Sequence, residues 1–95
     1  MEMTYEHETE LDLDVQRSVT VLGSTGSVGR NTLDLIARDP DRFKVEALTG
    51  NRNAKLLAEQ ARIFKPSQVV IGDESLYEEL KSDLSGTEID VAAGR

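Results

Sequence analysis

The sequence predicts an α/β domain built on a small parallel β-sheet. Short apolar segments alternate with longer segments of helical periodicity, in the order βαβαβαβ. Such alternation is typical of parallel strands joined by right-handed helical crossovers. The first strand leads into the first helix through the turn Gly23-Ser24-Thr25-Gly26-Ser27-Val28-Gly29. Together these features predict part of a Rossmann-like, doubly wound, three-layer fold, with the strand order 3-2-1-4 and the glycine turn at the switch point.

The predicted elements follow from apolar patterns and stop signals. Strands are expected over residues 19–22, 43–48, 69–71 and 89–92. Helices are expected over residues 27–38 and 54–65, and a third around Leu76, Tyr77, Leu80 and Leu84. Proline or glycine at Pro40, Pro66 and Gly86 ends each helix. The apolar arc of the first helix is expected to face the core and comprises Val28, Thr32, Leu35 and Ile36.

Length, charge and composition narrow the class of protein. The 95 residues suit one small domain or part of a larger one. A net charge of −7 argues against general binding to nucleic acid or to anionic membranes. No apolar run approaches the roughly 20 residues that span a bilayer, and the start does not resemble a signal peptide. The absence of cysteine excludes a disulfide framework and a thiolate metal site. We therefore expect a cytoplasmic protein without nucleic-acid or membrane partners.

The amino-terminal segment differs from the rest of the sequence. Within residues 1–17, six acidic residues stand against Arg17 alone, and apolar residues are sparse. Such a composition is typical of segments that do not fold by themselves. We expect residues 1–17 to be a disordered acidic tail and residues 18–95 to form the domain.

The glycine turn has the features of an anion site. Gly23 stands at the end of a strand, where glycine can take a positive φ that a side chain would resist. Gly26 removes a Cβ atom where a phosphate would approach the backbone, and Gly29 lets the helix pack against the strand. The free N–H groups and the dipole of a helix start favour a phosphate there. The turn therefore predicts a pyrophosphate site for a dinucleotide, although its G-x-x-G-x-x-G spacing also fits an ordinary strand-to-helix turn.

The end of the second strand indicates which dinucleotide would bind. NAD sites have a carboxylate there for the ribose 2′-hydroxyl, but residues 47–53 contain no acid and Glu46 lies inside the strand. Arg52 instead offers a permanently charged fork that suits a 2′-phosphate. NADPH is therefore predicted in preference to NADH. Asn53 stands where a helix N-cap is needed.

Four segments of the sequence together resemble one enzyme family. They are residues 20–29 (TVLGSTGSVG), 32–34 (TLD), 39–43 (DPDRF) and 47–53 (ALTGNRN). In this combination they resemble the start of the 1-deoxy-D-xylulose 5-phosphate reductoisomerases, enzymes of the non-mevalonate isoprenoid pathway. The resemblance extends from about residue 18 to residue 94.

The resemblance implies a cofactor site formed by two segments. The first holds the pyrophosphate of NADPH and comprises Thr25, Gly26, Ser27 and Val28. The second holds the adenosine ribose and its 2′-phosphate and comprises Asn51, Arg52 and Asn53. Many relatives have lysine at the position of Arg52, which keeps the charge. Many also have glycine at the position of Asn51, which suggests a role for its backbone.

The resemblance also implies what this segment lacks. The family's catalytic groups, its Mg²⁺ or Mn²⁺ site and its substrate phosphate site correspond to positions beyond residue 95. No catalytic or metal-binding residue is therefore expected here. The full-length enzyme is expected to be a homodimer that rearranges its substrate and reduces it with NADPH to 2-C-methyl-D-erythritol 4-phosphate. The chain alone is expected to be an inactive fragment.

Two other functions remain compatible with the residues. Aspartate-semialdehyde dehydrogenases and related reductases share a similar glycine turn after the first strand and would also use NADP(H). A stand-alone NADPH-binding or sensor module would need no catalytic residues at all. Residues 39–43 and 50–53 fit the dehydrogenases less well.

Overall fold

The computed structural model describes residues 16–94, in which four strands alternate with three α-helices. The strands are β1 (Arg17–Val21), β2 (Phe43–Gly50), β3 (Gln68–Ile71) and β4 (Asp90–Ala93). The helices are α1 (Ser27–Ala37), α2 (Ala54–Phe64) and α3 (Tyr77–Asp83), and a short 3-10 helix (Glu74–Leu76) precedes α3. The predicted Rossmann-like α/β class is therefore confirmed. Most of the expected acidic tail, residues 1–15, lies outside the described residues. Its predicted boundary at residue 17 is wrong, because Arg17 is the first residue of β1 and pairs with Phe43 of β2.

All strand pairs are parallel, and they follow one another across the sheet in the order β1-β2-β3-β4. The predicted order 3-2-1-4 is therefore wrong. It required the third crossover to return across the sheet, so that β4 would pair with β1. Instead α3 packs beside α2 and over β4, and the chain moves on in the same direction, pairing Val91 with Val69. Within residues 16–94 there is no reversal of direction and no switch point.

The buried core lies on one face of this sheet. Val21, Leu48 and Val69 are aligned in register across three strands and are fully buried. Successive right-handed crossovers in one direction place their helices on the same face. The opposite face includes exposed Thr20 and half-buried Val70. Residues 16–94 therefore supply one helical layer on the sheet, and the second layer of a three-layer fold is not among them.

Helix α1 is rotated from the orientation predicted by its apolar pattern. Its buried residues are Gly29, Thr32, Leu33 and Ile36. Val28 and Leu35, which were expected to face the core, are 58% and 61% exposed. The reason is steric, because Gly29 must face the preceding turn and this turns Val28 outward.

The described helices are short. No helix within residues 16–94 has the length and apolar character required to cross a bilayer.

Candidate nucleotide site

Two turns lie side by side at the carboxyl ends of β1 and β2. Strands β1 and β2 are adjacent and parallel, so the glycine turn after β1 and residues 51–53 after β2 share one edge of the sheet. The N–H of Ser24 donates to the carbonyl of Thr49 at 2.7 Å. The N–H of Gly23 donates to the Thr49 hydroxyl oxygen at 2.9 Å. These bonds attach the glycine turn to the end of β2.

The three glycines of the turn have different physical roles. Gly23 has a φ of +64°, which side chains rarely adopt. A Cβ on Gly29 would collide with the carbonyl group of Gly23 and lie 2.6 Å from the Cα of Ser24. Gly26 has a φ of −80°, and a Cβ there would lie 3.4 Å from the Gly23 oxygen. The fold therefore requires glycine at positions 23 and 29, whereas a Cβ at position 26 would only touch the Gly23 oxygen.

The free backbone N–H groups at the starts of α1 and α2 differ in whether a side chain accepts from them. Helix α2 is capped by Asn53, whose side-chain oxygen accepts from the N–H of Leu56 at 3.1 Å. This confirms the N-cap expected from the sequence. Helix α1 has Gly26 at its N-cap position, so no side chain caps it. Since the first N–H groups of a helix have no partner within the helix, the start of α1 offers donors to an anion.

The remaining residues of the predicted pyrophosphate segment surround this helix start. Ser27 and Val28 open α1 and are exposed. Thr25 is half-buried, and its side chain would lie 3.4 Å from a Cβ on Gly50. Thr25 therefore packs against the end of β2, while Ser27 and Val28 are exposed to solvent.

The second predicted segment is fastened to the end of β3. The carbonyl of Asn51 accepts from the N–H of Asp73 at 2.9 Å. The side chain of Asn51 lies over Gly72, because its Oδ1 atom would be 2.6 Å from a Cβ there. The backbone and the side chain of Asn51 therefore attach this turn to the loop that follows β3.

Arg52 is the exposed cation of the site. Within residues 16–94 its guanidinium has no hydrogen bond or ion pair, although it is close enough to Asp73 to act on its charge. Two hydrogen bonds from Ser75, first from its hydroxyl and then from its N–H, hold the pKa of Asp73 below the ordinary value of 3.8, and Arg52 lowers it further. The Arg52 donors therefore remain available to an anionic ligand.

One buried pair at this site was not predicted from the sequence. Ser24 is fully buried, and Gln60 of α2 is 6% exposed. The Ser24 hydroxyl donates to Oε1 of Gln60 at 2.7 Å, and Nε2 of Gln60 donates to the Ser24 carbonyl at 2.9 Å. The sequence contained one indication of this pair, because Gln60 is a polar residue on the apolar face of α2.

Other features of the described residues do not suit the same ligand. A cleft of about 660 Å³ lies at the amino ends of the strands, with Lys44, Arg62 and Glu88 in its lining. It is at the opposite end of the sheet from the glycine turn, and its charges are mixed. Among residues 16–94, no three histidine, aspartate or glutamate side chains are grouped to hold a metal ion.

The fold and the glycine turn place the chain in the class of Rossmann-like α/β domains. A family model described as 1-deoxy-D-xylulose 5-phosphate reductoisomerase matches residues 19–95. The chain belongs to the 1-deoxy-D-xylulose 5-phosphate reductoisomerase family. The resemblance drawn from the sequence is thus confirmed, and neither alternative function is favoured.

Individual relatives agree with the family match. The chain is 59% identical over 80 residues to the reductoisomerase of Gluconobacter oxydans, covering 84% of this chain and 20% of the relative. It is 56% identical over 84 residues to that of Rhizobium meliloti, covering 86% and 22%. The chain therefore spans about a fifth of the length of the curated relatives it matches.

Solved structures show the same similarity. The reductoisomerase of Zymomonas mobilis in complex with NADPH matches with a TM-score of 0.81 and 53% identity, over 83% of this chain and 21% of the other. A reductoisomerase in complex with NADPH, fosmidomycin and magnesium matches with a TM-score of 0.77 and 30% identity, over 82% and 19%.

Proposed function

We propose that residues 18–95 form part of the NADPH-binding domain of a 1-deoxy-D-xylulose 5-phosphate reductoisomerase. The whole enzyme would isomerise its substrate and reduce it with NADPH to 2-C-methyl-D-erythritol 4-phosphate. The family match supports this proposal. It is also supported by the similarity to the Zymomonas mobilis protein, which was solved in complex with NADPH.

One observation carries the assignment of the site. The uncapped start of α1 and the unpaired guanidinium of Arg52 lie on neighbouring turns at one edge of the sheet. NADPH has two separate anionic groups, the pyrophosphate and the 2′-phosphate. The helix start suits the first, because its N–H groups and dipole favour an anion. Arg52 suits the second, because its planar fork can bind a phosphate through two hydrogen bonds.

Each proposed contact has a stated role. The backbone of the first segment would bind the pyrophosphate and comprises Thr25, Gly26, Ser27 and Val28. The second segment would bind the ribose and its 2′-phosphate and comprises Asn51, Arg52 and Asn53. NADPH supplies a hydride when bound, and these residues would hold and orient its adenosine half. The proposed Mg²⁺ or Mn²⁺ requirement belongs to the whole enzyme, and no residue of this chain is assigned to it.

Three further expectations for the protein remain proposals. The acidic residues that precede β1 would be a tail outside the cofactor domain, as their charge suggests. The family resemblance favours a homodimer for the full-length enzyme. The absence of cysteine is compatible with a cytoplasmic location.

The direct experiment titrates the purified chain with NADPH and with NADH and measures both affinities by calorimetry. We expect NADPH to bind more tightly, because only NADPH has the phosphate that Arg52 would contact. Circular dichroism on the same sample would establish that the chain is folded. Equal affinities, or no binding by the folded chain, would contradict the proposal.

A further inference from the structure

The buried pair of Ser24 and Gln60 connects the two halves of the proposed site. Ser24 belongs to the glycine turn, and Gln60 belongs to the helix that starts directly after Arg52 and Asn53. Each residue both donates and accepts one hydrogen bond in the pair. Two bonds between the same residues fix orientation as well as distance, so the turn cannot rotate relative to α2 without breaking one of them.

Burial makes this connection costly to break. Both side chains are almost completely removed from solvent, and water has little access to replace a lost partner. An unpaired buried polar group costs more than the net gain from the hydrogen bond it has lost. Every fully buried side-chain polar atom within residues 16–94 has a partner. The pair is therefore a rigid connection in this part of the structure.

We propose that Gln60 is a positioning residue for NADPH, acting through Ser24. By fixing the glycine turn relative to the start of α2, it sets the distance between the pyrophosphate site and Arg52, so that one dinucleotide reaches both. This inference rests on the proposed function of the two segments. It assigns to Gln60 no contact with the cofactor.

The proposal differs from a purely structural role in what it predicts for the two cofactors. NADH can use the glycine turn but has no 2′-phosphate for Arg52. If the pair sets the distance between the sites, loosening it weakens NADPH more than NADH. If the pair only stabilises the fold, loosening it lowers the folded fraction and weakens both cofactors by the same factor.

The test compares Gln60→Met with Gln68→Met. The two variants make the same chemical change, and Gln68 is exposed at the amino end of β3, away from the site. We expect Gln60→Met to lower the NADPH-to-NADH affinity ratio roughly tenfold, the loss expected when a hydrogen bond between Arg52 and the 2′-phosphate is weakened. Gln68→Met should leave the ratio unchanged. A Gln60→Met protein that is folded and keeps the original ratio would overturn the positioning role.

A second variant keeps the test decisive if Gln60→Met does not fold. Ser24→Ala removes the hydroxyl but retains the bond from Nε2 of Gln60 to the backbone carbonyl. It should lower the ratio in the same direction and by a smaller factor. An unchanged ratio in folded Ser24→Ala would contradict the proposal. Failure of the unmodified chain to distinguish NADPH from NADH would instead contradict the proposed function.

Discussion

Gly29 packs directly against Gly23, and no side chain fits between them. A Cβ built on Gly29 would collide with the Gly23 carbonyl group and would lie 2.6 Å from the Cα of Ser24. These neighbours are backbone atoms, which cannot rotate away as a flexible side chain can. Glycine at position 29 therefore allows the start of α1 to pack directly against the glycine turn.

Gly29→Ala should consequently destabilise the fold. The added methyl group must push α1 away from the turn, and forcing extra volume into a packed site costs about 1–3 kcal/mol. Thermal unfolding followed by circular dichroism measures the effect. Gly26→Ala is the matched control, since a Cβ there meets its nearest neighbour only at 3.4 Å. Equal stability of the two variants would show that the contact at Gly29 is relieved without cost.

Gly26→Val tests the opposite property of the same turn. The backbone of Gly26 has an ordinary extended conformation, with φ of −80°, so valine can occupy the position without backbone strain. Its side chain would stand where the pyrophosphate is proposed to pass. We expect a folded protein that no longer binds NADPH in a fluorescence titration. Normal binding would place the pyrophosphate elsewhere, and loss of the fold would mean that Gly26 is needed for the backbone itself.

The helices and the conformation of the glycine turn could be predicted because they depend on local sequence. The cap at Asn53 and the positive φ of Gly23 both follow from residue types that suit those conformations. The direction of Val28 could not be predicted from helical periodicity. It depends on the contact between Gly29 and the turn, which the apolar pattern does not contain.

The strand order was wrong for a related reason. Alternating strands and helices predict parallel pairing, but either edge of the growing sheet can accept β4. The choice depends on which helices pack together, and α3 packs against α2. The Ser24–Gln60 pair was missed in the same way, because the two residues are 36 positions apart. Long-range contacts decide both features.

Arg52→Ala should separate the two cofactors. The substitution removes the guanidinium proposed to bind the 2′-phosphate, and a hydrogen bond to a charged group contributes roughly 1.5–3 kcal/mol. NADPH affinity should therefore fall roughly tenfold or more, since about 1.4 kcal/mol corresponds to a factor of ten. NADH affinity should change little. Arg42→Ala is the control, because Arg42 is an exposed arginine at the amino end of β2. Equal losses for both cofactors would exclude Arg52 from the 2′-phosphate site. Arg52→Lys should retain part of the preference, since the charge is kept.

The lowered pKa of Asp73 predicts that the stability of the folded chain depends on pH in the acid range. The Ser75 hydroxyl, the Ser75 N–H and Arg52 hold the pKa of Asp73 below 3.8 in the folded protein. A lowered pKa means that the ionised carboxylate stabilises the fold above the unfolded pKa. This contribution is lost as the pH falls through the lower folded value. The stability difference between the unmodified chain and Asp73→Asn should therefore be constant near neutral pH and shrink below about pH 4. Ser75→Ala should raise the pKa of Asp73 in an NMR titration, and an unchanged value would contradict the proposed cause.

The purified 95-residue chain should not turn over 1-deoxy-D-xylulose 5-phosphate. Hydride transfer requires the substrate to be held in line with the nicotinamide, and positioning of this kind supplies much of an enzyme's rate. Residues 16–94 provide a proposed site for the adenosine half of NADPH but no group of side chains that could hold a metal ion. The assay is NADPH oxidation with 1-deoxy-D-xylulose 5-phosphate and Mn²⁺, with the full-length Zymomonas mobilis reductoisomerase as the positive control. NADPH binding without oxidation is the expected result. Measurable turnover by the chain, unaffected by further purification, would mean that catalytic groups lie within these residues.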